Sequence, residues 1–322
     1  MRNKKILITG GAGMIGHELV SILASKNNSI TVTSIEDKNS VNFDFDLEYI
    51  QGDLRDLSFC KTICKGKDLI FHLAGIKGSP QMAIQKPSSF FVPMLQLNTN
   101  LLEAAARSDA EWVLYTSSVG VYGNFESPEE EMWDDFPSSK DWYGGWAKRM
   151  GELQIDSYIK ELGVNRYSIV RPANVFGKRD NFDSNTGMVI PSLISRIESG
   201  ESPLSVWGDG SAIRDFIFAK DVAEIMSFVV ENKITGAINA GTGKGITIKE
   251  LVEKIKIATN LNPEIIWDSS KPSGDKSRIL NSKKLNSIGF NKFTNIDEAL
   301  LQTVEWYRLN KNYKNNRYNS FK

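Results

Sequence analysis

Two spacings of apolar residues alternate along the first half of the chain. Short apolar or β-branched runs, which are typical of buried strands, occur at residues 6–8, 30–33, 47–50, 68–74, 112–115 and 167–170. Between the first two runs, Ile15, Leu19 and Leu23 recur at helical spacing. Helical periodicity returns around residues 97–105 and from about residue 143. Strands that alternate with helices in this way predict an α/β fold, a Rossmann-type doubly wound parallel sheet.

Three glycines stand where the first strand gives way to the first helix. Gly10, Gly13 and Gly16 leave the backbone bare at this turn. Backbone N–H groups and the positive end of a helix dipole attract a pyrophosphate, and side chains would block its approach. The combination of strand, glycine turn and helix therefore predicts a dinucleotide-binding site.

The alternation weakens after residue 176. Turn clusters at residues 180–185 and 207–210 separate shorter elements. We predict a dinucleotide-binding domain over residues 1–176, with a returning segment near residues 213–232. Residues 177–322 mainly form a smaller, C-terminal substrate-binding lobe, placed over the carboxyl ends of the strands. The polar residues 310–322 are expected to form a frayed end.

Composition excludes several classes of partner. The chain has 39 basic and 39 acidic residues, which removes the electrostatic case for nucleic acid or an anionic membrane surface. No apolar run approaches the length of a membrane span, so we expect no membrane anchor. Cys60 and Cys64, the two cysteines, fit a reducing cytoplasm. The two histidines, His17 and His72, are too few for a histidine metal site, and we expect no metal.

Six motifs resemble the extended short-chain dehydrogenase/reductase family, in its nucleotide-sugar epimerase/dehydratase branch. They are GGAGMIG at 10–16, GDL at 52–54, HLAG at 72–75, SSVGVYG at 117–123, RPANVFG at 171–177 and RDFI at 214–217. In the second half, residues 180–182, 189–193, 206–208 and 271–274 are most similar to GDP-fucose synthases, which reduce and epimerise a GDP-4-keto-6-deoxy sugar. The resemblance implies a nucleotide diphospho-sugar ligand, with GDP favoured.

The same resemblance implies NAD or NADP as the cofactor. It places the dinucleotide against Gly10, Gly13, Met14, Ile15, Gly16, Ser34, Asp53, Leu54, Leu73, Ala74, Gly75, Ser117, Lys148, Pro172 and Val175. Ser34 at the end of the second strand leaves room for a 2′-phosphate, with Lys38 nearby as a counter-charge. Glu36 would instead suit a free ribose hydroxyl, so the choice between NAD and NADP stays open.

Candidate substrate residues lie in the second half of the chain. The resemblance places the nucleotide-sugar near Asn174, Val189, Arg196, Trp207 and Arg214. Arginine side chains suit a diphosphate, and an indole ring offers a face to a base.

The catalytic residues follow the family only in part. The family transfers a proton with a tyrosine whose pKa is lowered by a lysine four residues later, beside a serine or threonine. Ser118 and Lys148 fit two of these positions, but Gly144 stands four residues before Lys148. Tyr143 is one residue too early, and on a regular helix its side chain turns about 140° from Lys148. It would serve only if Gly144 and its neighbour make the first turn irregular.

Two further departures narrow the reaction. Val119 and Gly120 replace the Asp-Glu pair of 4,6-dehydratases, so dehydration is disfavoured. Gly120 or its neighbour and Met188 stand where GDP-fucose synthases place an epimerising cysteine and histidine, so 3,5-epimerisation is disfavoured too. An acidic loop offers other carboxylates as a base: Glu126, Glu129, Glu130, Glu131, Asp134, Asp135 and Asp141.

Two hypotheses follow. The first is a cytoplasmic enzyme that oxidises or reduces a nucleotide-sugar at C4, or epimerises it through a 4-keto sugar, with Tyr143 as the proton-transfer group. The second is a catalytically impaired protein that binds a dinucleotide and a nucleotide-sugar, because Gly144 replaces the expected tyrosine. The resemblance also implies a homodimer formed by helices near residues 96–108 and 145–162.

Overall fold

The computed structural model describes residues 1–76, 85–132, 135–271 and 275–311. The helices are α1 (Met14–Ala24), α2 (Leu57–Cys64), α3 (Pro87–Ala106), α4 (Trp142–Leu162), α5 (Val189–Glu198), α6 (Ala219–Glu231), α7 (Ile248–Thr259), α8 (Lys283–Ser287) and α9 (Ile296–Leu309). The strands are β1 (Lys5–Thr9), β2 (Ser29–Ser34), β3 (Glu48–Gln51), β4 (Leu69–His72), β5 (Trp112–Thr116), β6 (Tyr167–Pro172), β7 (Asn174–Phe176), β8 (Leu204–Trp207), β9 (Ile213–Phe218), β10 (Gly236–Ala240), β11 (Gly245–Thr247), β12 (Ile265–Asp268) and β13 (Ser277–Arg278). Single turns of 3₁₀ helix span Lys38–Ser40 and Val119–Val121.

Seven strands form one parallel sheet, which confirms the predicted Rossmann-type fold. Their order is β10-β6-β5-β4-β1-β2-β3. In β1, Ile8 pairs with Val32 on one side and Phe71 on the other. The chain winds outward in opposite directions from β1 and β4, so a crevice opens beyond their carboxyl ends.

Helices cover both faces of this sheet because its strands are apolar on both sides. Ile6 and Ile8 pack in the cluster that holds α1 and α6, whereas Leu7 points to the opposite face. There it joins the cluster that contains Leu101 of α3 and Ile155 of α4. A sheet buried on both faces accounts for the continuous apolar runs in the sequence.

The chain returns to the large sheet after its first excursion into the smaller lobe. Helix α6 packs against α1, and β10 pairs with β6 at the edge of the sheet. Strand β9 instead belongs to a second sheet, where it pairs with β7, β11 and β13. The returning segment therefore spans residues 219–240 in the structure, and the domain boundary at residue 176 stays a prediction.

The smaller lobe has its own apolar core. Ile194 of α5, Leu251 of α7 and Leu300 of α9 are buried there together. The second sheet lies at the edge of this lobe, and in it Arg278 of β13 is paired in register with Arg214 of β9. This non-local pairing places two arginines side by side.

Within the described ranges, every helix is too short or too polar to cross a lipid bilayer. The Pro-Ser-Gly part of the 271–274 motif, Asp134 and residues 312–322 of the predicted frayed end lie outside the described residues.

Candidate active site

A continuous cleft runs along the carboxyl edge of the large sheet and into the smaller lobe. Its volume is about 1850 Å³. A pocket for one drug-sized ligand is typically about 300–1,000 Å³. The cleft is therefore large enough for a dinucleotide and a second ligand side by side.

The glycine turn at the floor of the cleft fits a pyrophosphate. Gly10 has a φ of 68°, and a Cβ there would lie 2.8 Å from the Ala74 backbone. A Cβ on Gly16 would lie 2.3 Å from the Gly10 carbonyl oxygen. Gly13 precedes α1 without a capping side chain, so the first N–H groups of this helix face the cleft uncovered. Only a bare backbone permits this packing, and it leaves the helix N-terminus open to an anion.

All predicted cofactor residues line the cleft. They are Gly10, Gly13, Met14, Ile15, Gly16, Ser34, Asp53, Leu54, Leu73, Ala74, Gly75, Ser117, Lys148, Pro172 and Val175. Their individual contacts with a dinucleotide stay predictions.

Lys148 faces the cleft from the second turn of α4. Its Nζ donates a hydrogen bond to the Thr116 carbonyl oxygen at 2.8 Å and lies 5.1 Å from the Tyr115 ring centroid. A Cβ on Gly75 would lie 3.8 Å from this ammonium, so the glycine keeps its surroundings open. Burial lowers the pKa of Lys148 to about 8, although Glu152 acts in the opposite direction.

A buried oxygen beside Lys148 also suits a ligand. Thr116 Oγ1 has no hydrogen-bond partner among the described residues, although Thr116 is only 8% exposed and lines the cleft. An unpaired buried hydroxyl costs free energy unless a ligand satisfies it.

A buried ion pair ties the serine motif to α4. Arg171 donates to Glu152 through Nε at 3.0 Å and Nη2 at 2.6 Å. Glu152 also accepts a hydrogen bond from Ser117 Oγ. Because Glu152 lies one turn after Lys148, this pair fixes the lysine relative to Ser118.

His72 reinforces this placement from inside the sheet. Its Nδ1 lies 2.8 Å from Thr9 Oγ1 and its Nε2 lies 3.0 Å from Asn98 Oδ1. Burial lowers the pKa of His72 to about 3, so the ring is neutral at pH 7. Asn98 in turn donates weakly to the Ala147 carbonyl oxygen, 3.5 Å away on α4.

The structure does not bring Tyr143 into the cleft. Its ring packs edge-on against Phe91 at 5.9 Å, it is 39% exposed, and it is not among the described residues that line the cleft. The first turn of α4 is regular, since the Gly145 N–H bonds to the Asp141 carbonyl oxygen at 2.7 Å. The predicted role of Tyr143 in proton transfer stays a prediction. The packing of its ring on Phe91, outside the cleft, does not favour that role.

Phe90 occupies the space beside Gly144. A Cβ on Gly144 would lie 3.3 Å from the Phe90 ring, which lines the cleft. A tyrosine at position 144 would require this ring to move. The other phenol of the motif, Tyr122, is 2% exposed and bonded to Asn239 and Arg171, so it is a packing residue.

The predicted substrate residues line the lobe end of the cleft. They are Asn174, Val189, Arg196, Trp207 and Arg214. Asn174 Nδ2 donates to the Asp215 carbonyl oxygen at 2.9 Å, and Trp207 is 49% exposed. Arg196 is bonded to Glu201, with a distance of 2.8 Å from Nε, which limits its freedom to clamp a phosphate. Arg214 Nη1 donates to the Ile213 carbonyl oxygen at 2.7 Å.

Sequence reasoning missed Arg278 and did not single out Asp141. Arg278 lines the cleft beside Arg214 and forms a salt bridge with Asp141. Its second carboxylate partner is Asp275, at 2.9 Å. The pairing of β13 with β9 depends on contacts more than sixty residues apart in the chain, and no local pattern signals it.

Three other carboxylates of the acidic loop form hydrogen bonds outside the cleft. Glu130 is buried and accepts from the Asn239 N–H at 2.8 Å. Glu129 bonds to Asn281, and Glu131 to Lys284. Of the described members of the predicted set, Asp141 is the one that lines the cleft.

Fold and site together define a Rossmann-type enzyme that binds NAD or NADP. A family model described as the NAD dependent epimerase/dehydratase family matches residues 6–241. The chain belongs to this family.

Relatives match over nearly the whole chain. GDP-L-colitose synthase of Yersinia pseudotuberculosis is 27% identical over 96% of this chain and 99% of its own length. A putative UDP-glucose 4-epimerase of Methanocaldococcus jannaschii is 30% identical over 95% of this chain and 99% of its own length. Among solved structures, UDP-N-acetylglucosamine 4-epimerase of Methanobrevibacter ruminantium, in complex with UDP-N-acetylmuramic acid, has a TM-score of 0.85 at 29% identity, covering 96% of this chain and 99% of that one.

Replacing Gly16 by alanine is expected to weaken dinucleotide binding by at least about tenfold, or roughly 1.4 kcal/mol. The new methyl group would collide with the Gly10 carbonyl and open the turn. Isothermal titration calorimetry with NAD and NADP measures the loss, and a melting curve without ligand shows that the variant folds. Gly144→Ala, another helical glycine with a milder contact, is the control. Equal affinity in Gly16→Ala and the wild type would contradict the assignment of the turn.

Proposed function

We propose that this enzyme oxidises or reduces a nucleotide diphospho-sugar at C4, or epimerises it through a 4-keto sugar, and that GDP-sugars are its substrates. The observation that carries this proposal is the single cleft that joins the glycine turn to the arginines of the lobe. Ser118 and Lys148 line it between the two ends. The name of the Yersinia relative supports a GDP-sugar.

Each cleft residue has a distinct task in this proposal. Ser118 hydrogen-bonds the C4 oxygen of the sugar. Lys148 holds the nicotinamide ribose and supplies positive charge beside the reacting oxygen. When bound, the dinucleotide accepts or returns a hydride at the sugar carbon. Arg214 neutralises the diphosphate, and Trp207 stacks on the base.

A second candidate function rests on Gly144. With Phe90 packed beside this glycine, the family's tyrosine has no counterpart at its usual place. A protein that binds both ligands without turnover is consistent with that substitution.

Purified protein is expected to turn over a GDP-hexose with NAD or NADP, or a GDP-4-keto sugar with the reduced cofactor. Absorbance at 340 nm and chromatography of the sugar nucleotide follow the reaction. Lys148→Met is expected to lower the rate roughly 100-fold or more, because the site loses its fixed cation. If every GDP-, UDP- and dTDP-sugar stays unchanged while both ligands bind, the binding-protein hypothesis replaces this one.

The charges around the adenosine end support NAD over NADP. Ser34, the last residue of β2, and Glu36 just after it line the cleft, whereas Lys38 is not among the described lining residues. Arg55 lines it too, but its Nε bonds to Asp53 at 2.8 Å. This hydrogen bond lowers the pKa of Asp53, so the pair stays ionised at neutral pH. Among the described residues that line this end of the cleft, a 2′-phosphate would meet the Glu36 carboxylate and an arginine that is already paired with Asp53.

NAD is therefore expected to bind at least about tenfold more tightly than NADP. Glu36→Gln is expected to narrow the ratio of NAD affinity to NADP affinity, because it removes a negative charge close to the 2′ position. Calorimetric titrations of both variants with both cofactors measure the ratio, and Asp37→Gln, one position further on, is the matched control. Tighter binding of NADP by the wild type would contradict this preference.

Exposed apolar residues support a homodimer through α3 and α4. These two helices pack against each other, and their outer faces carry Val92, Met150 and Leu153, which are 45%, 41% and 51% exposed. Met150 and Leu153 lie on one side of α4, at a spacing of three residues. A second copy that covers this face would bury all three side chains.

Sedimentation velocity at micromolar concentration is expected to give a dimer, and Leu153→Arg to give a monomer, since an arginine would be buried without a partner. Ile257→Arg, on the remote helix α7 where Ile257 is 79% exposed, keeps the dimer and serves as the control. A monomeric wild type would contradict the proposed interface.

The cysteines support a reducing compartment such as the cytoplasm. Cys60 and Cys64 are buried free thiols on α2. Burial raises the pKa of both to about 12, so both stay protonated and unreactive.

A further inference from the structure

Asp141 and Ser118 both line the cleft and lie on either side of Gly120. A Cβ on Gly120 would lie 3.4 Å from Ser118 Oγ and 3.7 Å from Asp141 Cγ. The hydroxyl and the carboxyl group therefore flank the same bare stretch of backbone. Because both residues line the cleft, one ligand oxygen placed between them would meet both groups.

The carboxylate of Asp141 is turned towards the cleft instead of capping its helix. An aspartate at the N-terminus of a helix normally accepts hydrogen bonds from the next N–H groups. Asp141 precedes α4 but makes no such bond, and its carboxylate forms a salt bridge with Arg278. Arg278 is itself held by Asp275 at 2.9 Å. This arrangement fixes the direction of the carboxylate while leaving its side chain 33% exposed.

The other candidate groups near Ser118 are poorly placed to accept a proton from the sugar. Tyr143 packs on Phe91, and Tyr122 is buried with its hydroxyl bonded on both sides. Lys148 donates to the Thr116 carbonyl, and an ammonium has no lone pair to accept a proton. Asp141 has both an acceptor oxygen and access to the cleft.

We propose that Asp141 is the catalytic acid/base of this enzyme, in the role for which the chain has no tyrosine at position 144. This inference rests on the proposed function. In the oxidation, a dinucleotide held by the glycine turn and Lys148 would accept the C4 hydrogen with its electron pair as the C4–H bond breaks. The C4 hydroxyl gives its proton to the Asp141 carboxylate, and a C4 carbonyl forms. The reduction returns the hydride to C4 and the carboxyl proton to the oxygen.

The first test compares Asp141→Asn with Tyr143→Phe in single-turnover hydride transfer at 340 nm. Asp141→Asn is expected to slow transfer roughly 100-fold or more, because an amide cannot take the proton. Calorimetry is expected to give dinucleotide and GDP-sugar affinities within about threefold of the wild type. Tyr143→Phe keeps the wild-type rate. A large loss in Tyr143→Phe with an unaffected Asp141→Asn overturns the inference.

The second test does not require turnover. Asp141→Cys introduces a thiol into the cleft, and the native Cys60 and Cys64 are buried, so iodoacetamide reports on position 141. GDP-mannose is expected to protect this thiol at least about tenfold better than GDP, because the sugar and not the diphosphate covers it. Equal protection by GDP places the residue at the phosphates and overturns the inference. If GDP-mannose protects the Asp141→Cys thiol but the wild type transfers no hydride, the proposed function is contradicted, and with it the catalytic role of Asp141. The position of Asp141 beside the sugar would still stand.

Discussion

The buried ion pair between Arg171 and Glu152 is the interaction on which the geometry of the site depends. It joins the end of β6 to the middle of α4, and Ser117 and Tyr122 bond to the same two side chains. Removing one partner from such a pair typically costs about 3–5 kcal/mol, because a charge is left buried and unpaired. Lys148 lies one turn from Glu152, so the pair that holds the helix also sets the position of the lysine over the carboxyl edge of the sheet.

Backbone geometry supplies the other half of the site. The parallel sheet brings the ends of β1, β4 and β5 to one edge, and the bare backbone of Gly10 and Gly16 lets a ligand lie against it. The lobe then closes the far side, with Arg214 and Arg278 paired in register. The proposed cofactor end of the cleft therefore depends on glycines that lack side chains. The proposed substrate end depends on charged side chains. Ser118, Asp141 and Lys148, the proposed reacting groups, line the cleft that joins the two ends.

The sequence predicts the local parts of this design well. The apolar runs predict both ends of β1 to β6 to within about two residues. The glycine turn predicts the floor of the cleft. What it could not predict depends on distant pairing. No periodicity indicates that β10 pairs with β6 or that Arg278 faces Asp141, because each contact joins segments more than sixty residues apart. Gly144 and the off-register Tyr143 signal unusual chemistry, but only the packing of Phe90 and Phe91 shows where those positions point.

The central claim is that sugar oxidation occurs between Ser118 and Asp141, without a tyrosine. A crystal structure of the complex with NAD and a GDP-sugar tests it most directly. We predict that the C4 oxygen lies within hydrogen-bond distance, about 2.6–3.2 Å, of both Ser118 Oγ and an Asp141 carboxylate oxygen, with Tyr143 still packed on Phe91. A sugar whose C4 oxygen instead meets the Tyr143 hydroxyl, with Asp141 bonded only to Arg278, would contradict the account.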